Sequence, residues 1–109
     1  YITGLSMGAI GTFDLVCRYP KVFAAATPIC GGANLQRLAN FKGNTAFSIY
    51  HGEADSVVDV EFSRDAYDTL KKAGAEVRYK EYPGVDHNSW DNAFAEPDFI
   101  SWMFQHCLK

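Results

Sequence analysis

Ser6 stands inside Gly4-Leu5-Ser6-Met7-Gly8, a Gly-x-Ser-x-Gly pentapeptide with a β-prone lead-in, Tyr1-Ile2-Thr3, and a helix-forming segment behind it. Such a pentapeptide builds a sharp strand-to-helix turn with the serine at its tip. The serine backbone is strained there, and side chains at Gly4 and Gly8 are expected to collide with neighbouring backbone. The strain lifts the hydroxyl out of the sheet, where a base can reach it. A helix that starts near Met7 turns its free N–H groups and positive end toward the same point. The pentapeptide thus predicts a nucleophile in Ser6 and one oxyanion donor in the Met7 backbone N–H.

A serine hydroxyl needs a base to take its proton, and the base needs a carboxylate to orient it. Asp55 and His87 follow Ser6 in the order nucleophile, acid, base. Asp55 sits just after Phe47-Ser48-Ile49-Tyr50-His51-Gly52, which reads as a buried strand ending in a turn. His87 sits in a loop after Val77-Arg78-Tyr79-Lys80-Glu81-Tyr82. All three residues follow strand ends, so a parallel sheet brings them to one edge, where open α/β sheets hold their sites. The chemistry predicted is acyl transfer. Ser6 attacks a carbonyl, His87 moves the proton, and Asp55 fixes the imidazole tautomer. No metal or organic cofactor is required.

The elements that must position these residues alternate along the chain. Residues 1–5 read as a strand and 7–18 as the helix behind the turn, ended at Tyr19-Pro20. Phe23 to Ile29 is a short apolar strand closed by Gly31-Gly32. Residues 33–44 are polar and irregular, with room for one helical turn. Thr45 to Tyr50 is the next strand. Residues 59–73 are helical, with Phe62, Ala66, Leu70 and Ala73 on one apolar face. Gly74 stands where a helix stop is expected. Glu76 to Tyr82 is a strand of mixed polarity, suited to a sheet edge. Residues 97–107 predict a last helix with Phe99, Ile100, Met103, Phe104 and Cys107 facing the core. The order indicates an α/β fold, a mostly parallel sheet with flanking helices.

The runs His51-Gly52-Glu53-Ala54-Asp55-Ser56-Val57-Val58 and Tyr82-Pro83-Gly84-Val85-Asp86-His87-Asn88-Ser89-Trp90 complete a resemblance to the α/β-hydrolases. They resemble esterases of the feruloyl and acetyl-xylan type and the related predicted peptidases and polyhydroxybutyrate-depolymerase-like hydrolases. The resemblance covers essentially the whole chain. It implies Ser6 as nucleophile, Asp55 as acid, His87 as base and the Met7 N–H as oxyanion donor. It also implies a structural His-Gly pair at His51-Gly52. Such hydrolases carry further strands and a second oxyanion donor ahead of the nucleophile. Residues 1–109 are therefore expected to be the C-terminal part of one catalytic domain, a partial α/β-hydrolase fold without the N-terminal strands. The implied substrates are small aryl or alkyl esters or acylated polysaccharide. A serine peptidase of the prolyl-oligopeptidase type shares the residue order, and a fragment unable to assemble its site is the non-catalytic alternative.

The 109 residues are 48% hydrophobic and 15% aromatic, enough apolar material for a small core. The net charge of −3 recommends no nucleic-acid partner. No apolar run approaches the roughly 20 residues of a membrane span. Cys17, Cys30 and Cys107 lack metal-type spacing and read as small apolar core residues. An unpaired sheet edge would favour self-association.

Other residues compete for each role. Glu53 and Asp59 are rivals to Asp55 as the acid, although Asp59 is better placed to cap the next helix. The acidic set Glu53, Asp55 and Asp59 matches no calcium loop. His51 is the alternative base, and His106 reads as a surface residue. Asp86 is expected to point away from its neighbour His87. Trp90 is placed to wall a substrate pocket or simply to pack.

Overall fold

The computed structural model describes residues 1–108. Strands β1 (Ile2–Leu5), β2 (Ala25–Ile29), β3 (Ala46–Gly52) and β4 (Val77–Tyr82) pair side by side in chain order, every pair parallel. Ile2 lies opposite Ala26 and Phe47 opposite Val77. The parallel order follows from helices inserted between successive strands: α1 (Met7–Arg18), α2 (Leu35–Ala39) and α3 (Glu61–Lys72). Two short helices, α4 (Trp90–Phe94) and α5 (Phe99–Phe104), follow β4.

Every residue of β2 and β3 is buried, as expected of parallel strands covered on both faces. Alternate side chains feed two cores. Ala26, Phe47 and Ile49 meet Phe13 and Val16 of α1, Leu38 of α2 and Leu70 of α3. On the other face Ile29 and Tyr50 meet Ala93 of α4 and Phe99, Trp102 and Met103 of α5. The edge strand β4 is mostly half-buried. Gly74 adopts φ 83° just past α3. Its N–H donates to the Lys71 carbonyl, and the Ala75 N–H reaches back to Leu70. This paired return of amides ends the helix at a residue that tolerates positive φ.

The apolar faces differ from the spacing-based expectation. On α3 the inward residues are Ser63, Ala66 and Leu70, while Phe62 is 55% exposed. On α5 they are Phe99, Trp102 and Met103, whereas Ile100 and Phe104 are exposed and Cys107 lies beyond the helix on the surface. A stripe about 100° wide accommodates more apolar positions than the sheet covers. Of the cysteines only Cys30 is fully buried, and Cys17 is half-buried. The described residues include no helix long and apolar enough to cross a membrane.

Candidate active site

β1, β3 and β4 deliver Ser6, Asp55 and His87 to the same end of the sheet. Ser6 joins β1 directly to α1, with φ 55° and ψ −119°. This left-handed φ is costly for a serine and persists only where surrounding structure enforces it. The enforcement is visible. The Ser6 N–H donates to the Ile29 carbonyl of β2 at 2.9 Å, and the Ser6 carbonyl accepts from Ala9 and Ile10 of α1. A Cβ at Gly4 would overlap the Gly8 carbonyl and lie 2.8 Å from Thr12 Oγ1, so strand and helix meet there only through glycine. Gly8 differs from expectation: a Cβ there meets nothing within 4 Å. The close approach falls at Gly4, beneath the first turn of α1, and not at Gly8.

The hydroxyl of Ser6 lies 2.8 Å from His87 Nε2, and His87 Nδ1 lies 2.8 Å from Asp55 Oδ2. An ionised carboxylate can only accept, so Nδ1 carries the proton and Nε2 presents its lone pair to the Ser6 O–H. Asp55 is held by three donors. Oδ1 accepts the N–H groups of Val57 at 2.9 Å and Val58 at 2.8 Å. Oδ2 accepts from His87 and lies 3.1 Å from His51 Nε2. Burial pushes the Asp55 carboxyl up. The hydrogen bonds from His87, Val58 and Val57 outweigh it and hold the group below the usual carboxylate value. The arrangement can therefore draw a proton from Ser6 onto His87 beside a carboxylate that stays ionised.

His51 is not the residue that faces Ser6. Its ring is fully buried, with Nε2 2.8 Å from the Val58 carbonyl and Nδ1 2.6 Å from Ser63 Oγ. Ser63 also donates to the Gly31 carbonyl at 3.1 Å. His51 thus links β3, α3 and the loop carrying Asp55, in agreement with a structural place for the His-Gly pair. Among the rivals, Glu53 accepts from the Gly84 N–H, and Asp59 Oδ1 accepts from the Glu61 N–H at the start of α3. His106 packs on Trp102, 4.7 Å between ring centroids, and is not among the contacts of Ser6 or Asp55.

Met7 is the first residue of α1, where an amide has no partner within its own helix. Trp90 is half-buried and stands edge-on to the His87 ring, 5.5 Å between centroids. Between α1 and the Asp55 loop lies an open apolar hollow of about 320 Å³, bounded by Ile10, Ala33, Val57, Val58 and Phe62. Sequence reasoning assigned Phe62 to the core. Its place on the hollow follows from the short loop that turns the first residues of α3 toward the site.

Cys30 follows β2 directly, with φ 48°, and is fully buried, which pushes its thiol up. The ligand atoms of Cys30, Asp55 and His87 lie within 4.8 Å of one another. Among the described residues they are the set that could hold a metal ion. Asp55 Oδ2 and His87 Nδ1 are already engaged with each other, so the set reads as the proton path with a thiol beside it. Sequence spacing alone could not have placed Cys30 there, because the cysteine comes to the site across the sheet.

The family of phospholipases and carboxylesterases matches residues 1–102. The chain is 29% identical over 93 residues to the carboxylesterase SOBER1 of Arabidopsis thaliana, covering 81% of this chain and 41% of that protein. It is 26% identical over 89 residues to acyl-protein thioesterase 1 of Neurospora crassa, covering 79% of this chain and 36% of that protein. The crystal structure of a thermostable esterase superposes with a TM-score of 0.89 at 39% identity, over 97% of this chain and 30% of that one. The chain therefore spans less than half the length of each of these relatives.

Proposed function

This chain belongs to the phospholipase/carboxylesterase family of α/β-hydrolases, and we propose that it carries a Ser6–His87–Asp55 triad that cleaves carboxylic esters through an acyl-enzyme. The observation that carries this reading is the unbroken path of two 2.8 Å contacts from Ser6 Oγ through His87 to Asp55. Ser6 Oγ attacks the ester carbonyl as its proton passes to His87 Nε2. Asp55 stabilises the imidazolium and keeps Nδ1 protonated. The carbonyl oxygen gathers negative charge against the Met7 N–H. His87 then gives the proton to the departing alcohol. Water, deprotonated by the same nitrogen, attacks the acyl-enzyme, releases the acid and restores Ser6.

The substrate class is a small ester with an apolar or aryl group, including one borne on a carbohydrate. Two features support it. The hollow of Ile10, Ala33, Val57, Val58 and Phe62 flanks the Asp55 loop and offers an apolar group a place to leave water. The Trp90 ring beside His87 offers a flat wall to an aryl or sugar ring.

The test is covalent labelling with a fluorophosphonate probe, read by intact mass. One adduct per chain is expected, absent in Ser6→Ala and strongly slowed in His87→Ala. Labelling that survives Ser6→Ala would overturn the assignment of the nucleophile. A panel of acetyl, butyryl, feruloyl and thioester substrates, offered to the labelled-competent protein, then reads the acyl preference. Equal rates for the acetyl and butyryl members would overturn the role of the hollow.

A further inference from the structure

The Asp86 carboxylate accepts from the backbone N–H of its neighbour His87. It also turns onto the loop that carries the acid. One oxygen, Oδ1, accepts from the Ser56 N–H at 2.8 Å, the Ser56 hydroxyl at 2.8 Å and the His87 N–H at 2.7 Å. Ser56 follows Asp55 directly, and Asp86 precedes His87 directly. A single carboxylate oxygen therefore ties the residue beside the triad acid to the residue that is the triad base.

We propose that Asp86 is a positioning residue, a clip that sets the Asp55–His87 distance by joining their two loops. The proposal rests on the triad reading above. The two loops are otherwise joined on the sheet side, by Glu53 N–H to the Tyr82 carbonyl, Ala54 N–H to the Val85 carbonyl and Gly84 N–H to Glu53. Among the described residues, the Asp86–Ser56 contact is the backbone-anchored link on the far side of the 2.8 Å Asp55–His87 contact. The three donors, led by the Ser56 N–H, hold the Asp86 carboxyl below its ordinary value. It is thus ionised at neutral pH, and it is the stronger acceptor for being charged. Asp86 is exposed and outside both cores. Its removal should leave the fold in place while freeing the loop that aims His87. Small displacements of a reacting group cost rate steeply, up to about a hundredfold per ångström.

The experiment uses the full chain and two readouts. The first is the rate constant of fluorophosphonate labelling at Ser6. Asp86→Ala should slow it about tenfold, with the thermal transition held near that of the unmodified protein. Asp86→Asn keeps an oxygen in the same place and should recover most of the rate. Ser56→Ala removes the hydroxyl but not the N–H and should fall between. If Asp86→Asn is as slow as Asp86→Ala while amide exchange at Ser56 and His87 stays at the parent rate, Asp86 acts through its charge on His87 and the clip is wrong. The second readout does not need a reactive serine. Amide hydrogen exchange at Ser56 and His87 should speed up about tenfold in Asp86→Ala, with the β3 amides unchanged. Unchanged exchange at both amides overturns the clip, even if Ser6 labels. Faster exchange in a chain that never labels keeps the clip and removes the triad reading instead.

Discussion

Replacing His51 by alanine tests whether Asp55 is held by the core of the fold. The ring is fully buried and makes three contacts: Ser63 Oγ at 2.6 Å, the Val58 carbonyl at 2.8 Å and Asp55 Oδ2 at 3.1 Å. Two of the three partners keep other bonds after the change. Ser63 retains the Gly31 carbonyl, and Asp55 retains Val57, Val58 and His87. The Val58 carbonyl is the group left without its donor. Losing hydrogen bonds worth about 1 kcal/mol each, together with an unfilled ring-sized void, amounts to about 3–5 kcal/mol. A domain of this size has only about 5–15 kcal/mol in total. Equilibrium urea unfolding followed by tryptophan fluorescence should show the midpoint lowered by about 2 M or more, with m for a small protein near 1–1.5 kcal/mol/M. His51→Phe separates the two causes. It fills the space and removes only the bonds, so it should cost about 2 kcal/mol. A His51→Ala midpoint within about 0.5 M of the parent would refute the reasoning. A His51→Phe protein as stable as the parent would confine the effect to packing.

Two further outcomes follow from the same structure. Gly8→Ala should leave the urea midpoint of this chain unchanged or slightly raised, because its Cβ meets no atom and alanine favours the helix by up to about 1 kcal/mol. Gly4→Ala should lower the unfolding free energy by about 1–3 kcal/mol, and the midpoint with it, through the overlap with the Gly8 carbonyl, and equal midpoints for the two variants would contradict the geometry of the turn. In acid, the ion pair of Arg64 with Glu81, supported by the Tyr79 hydroxyl, holds the Glu81 carboxyl down at about 2. A depressed carboxyl stabilises the fold fully above its ordinary value of 4.5 and loses that contribution as pH falls toward about 2. Glu81→Gln should therefore flatten the fall of the urea midpoint between those two values, and an unaltered acid profile would deny Glu81 the role.

The parallel sheet and the meeting of Ser6, Asp55 and His87 were legible because each residue follows a strand whose pattern is plain. A buried run ending in a turn fixes which end of the sheet a residue occupies, and parallel pairing then brings such ends together. The outward faces were less legible. Phe62, Ile100 and Phe104 have the spacing of core residues, yet periodicity fixes only a helix face and not whether anything covers it. Helix α4 went unseen since Trp90-Asp91-Asn92-Ala93-Phe94 is too short to show a period. Gly8 was misjudged for a related reason. The motif requires one close approach, and only the relative tilt of β1 and α1 decides which glycine supplies it. Asp86 and Cys30 were unreadable as neighbours of the site, because loop side chains and cross-sheet contacts leave no periodic trace.

Asp55 and His87 are secured by different kinds of contact, and this should separate the consequences of disturbing each. Asp55 takes two amides of its own turn and a histidine that is wedged between β3 and α3. Moving it means breaking buried bonds, so damage near Asp55 registers first as lost stability. His87 rests on Asp55, on the edge of Trp90 and on the exposed Asp86 clip. The Asp86 clip lies at the surface of the fold, where each bond contributes little to the folded state but still confines the loop that carries the ring. Damage there registers first as lost rate. A site divided in this way has a fixed carboxylate, against which the histidine ring is aimed at Ser6.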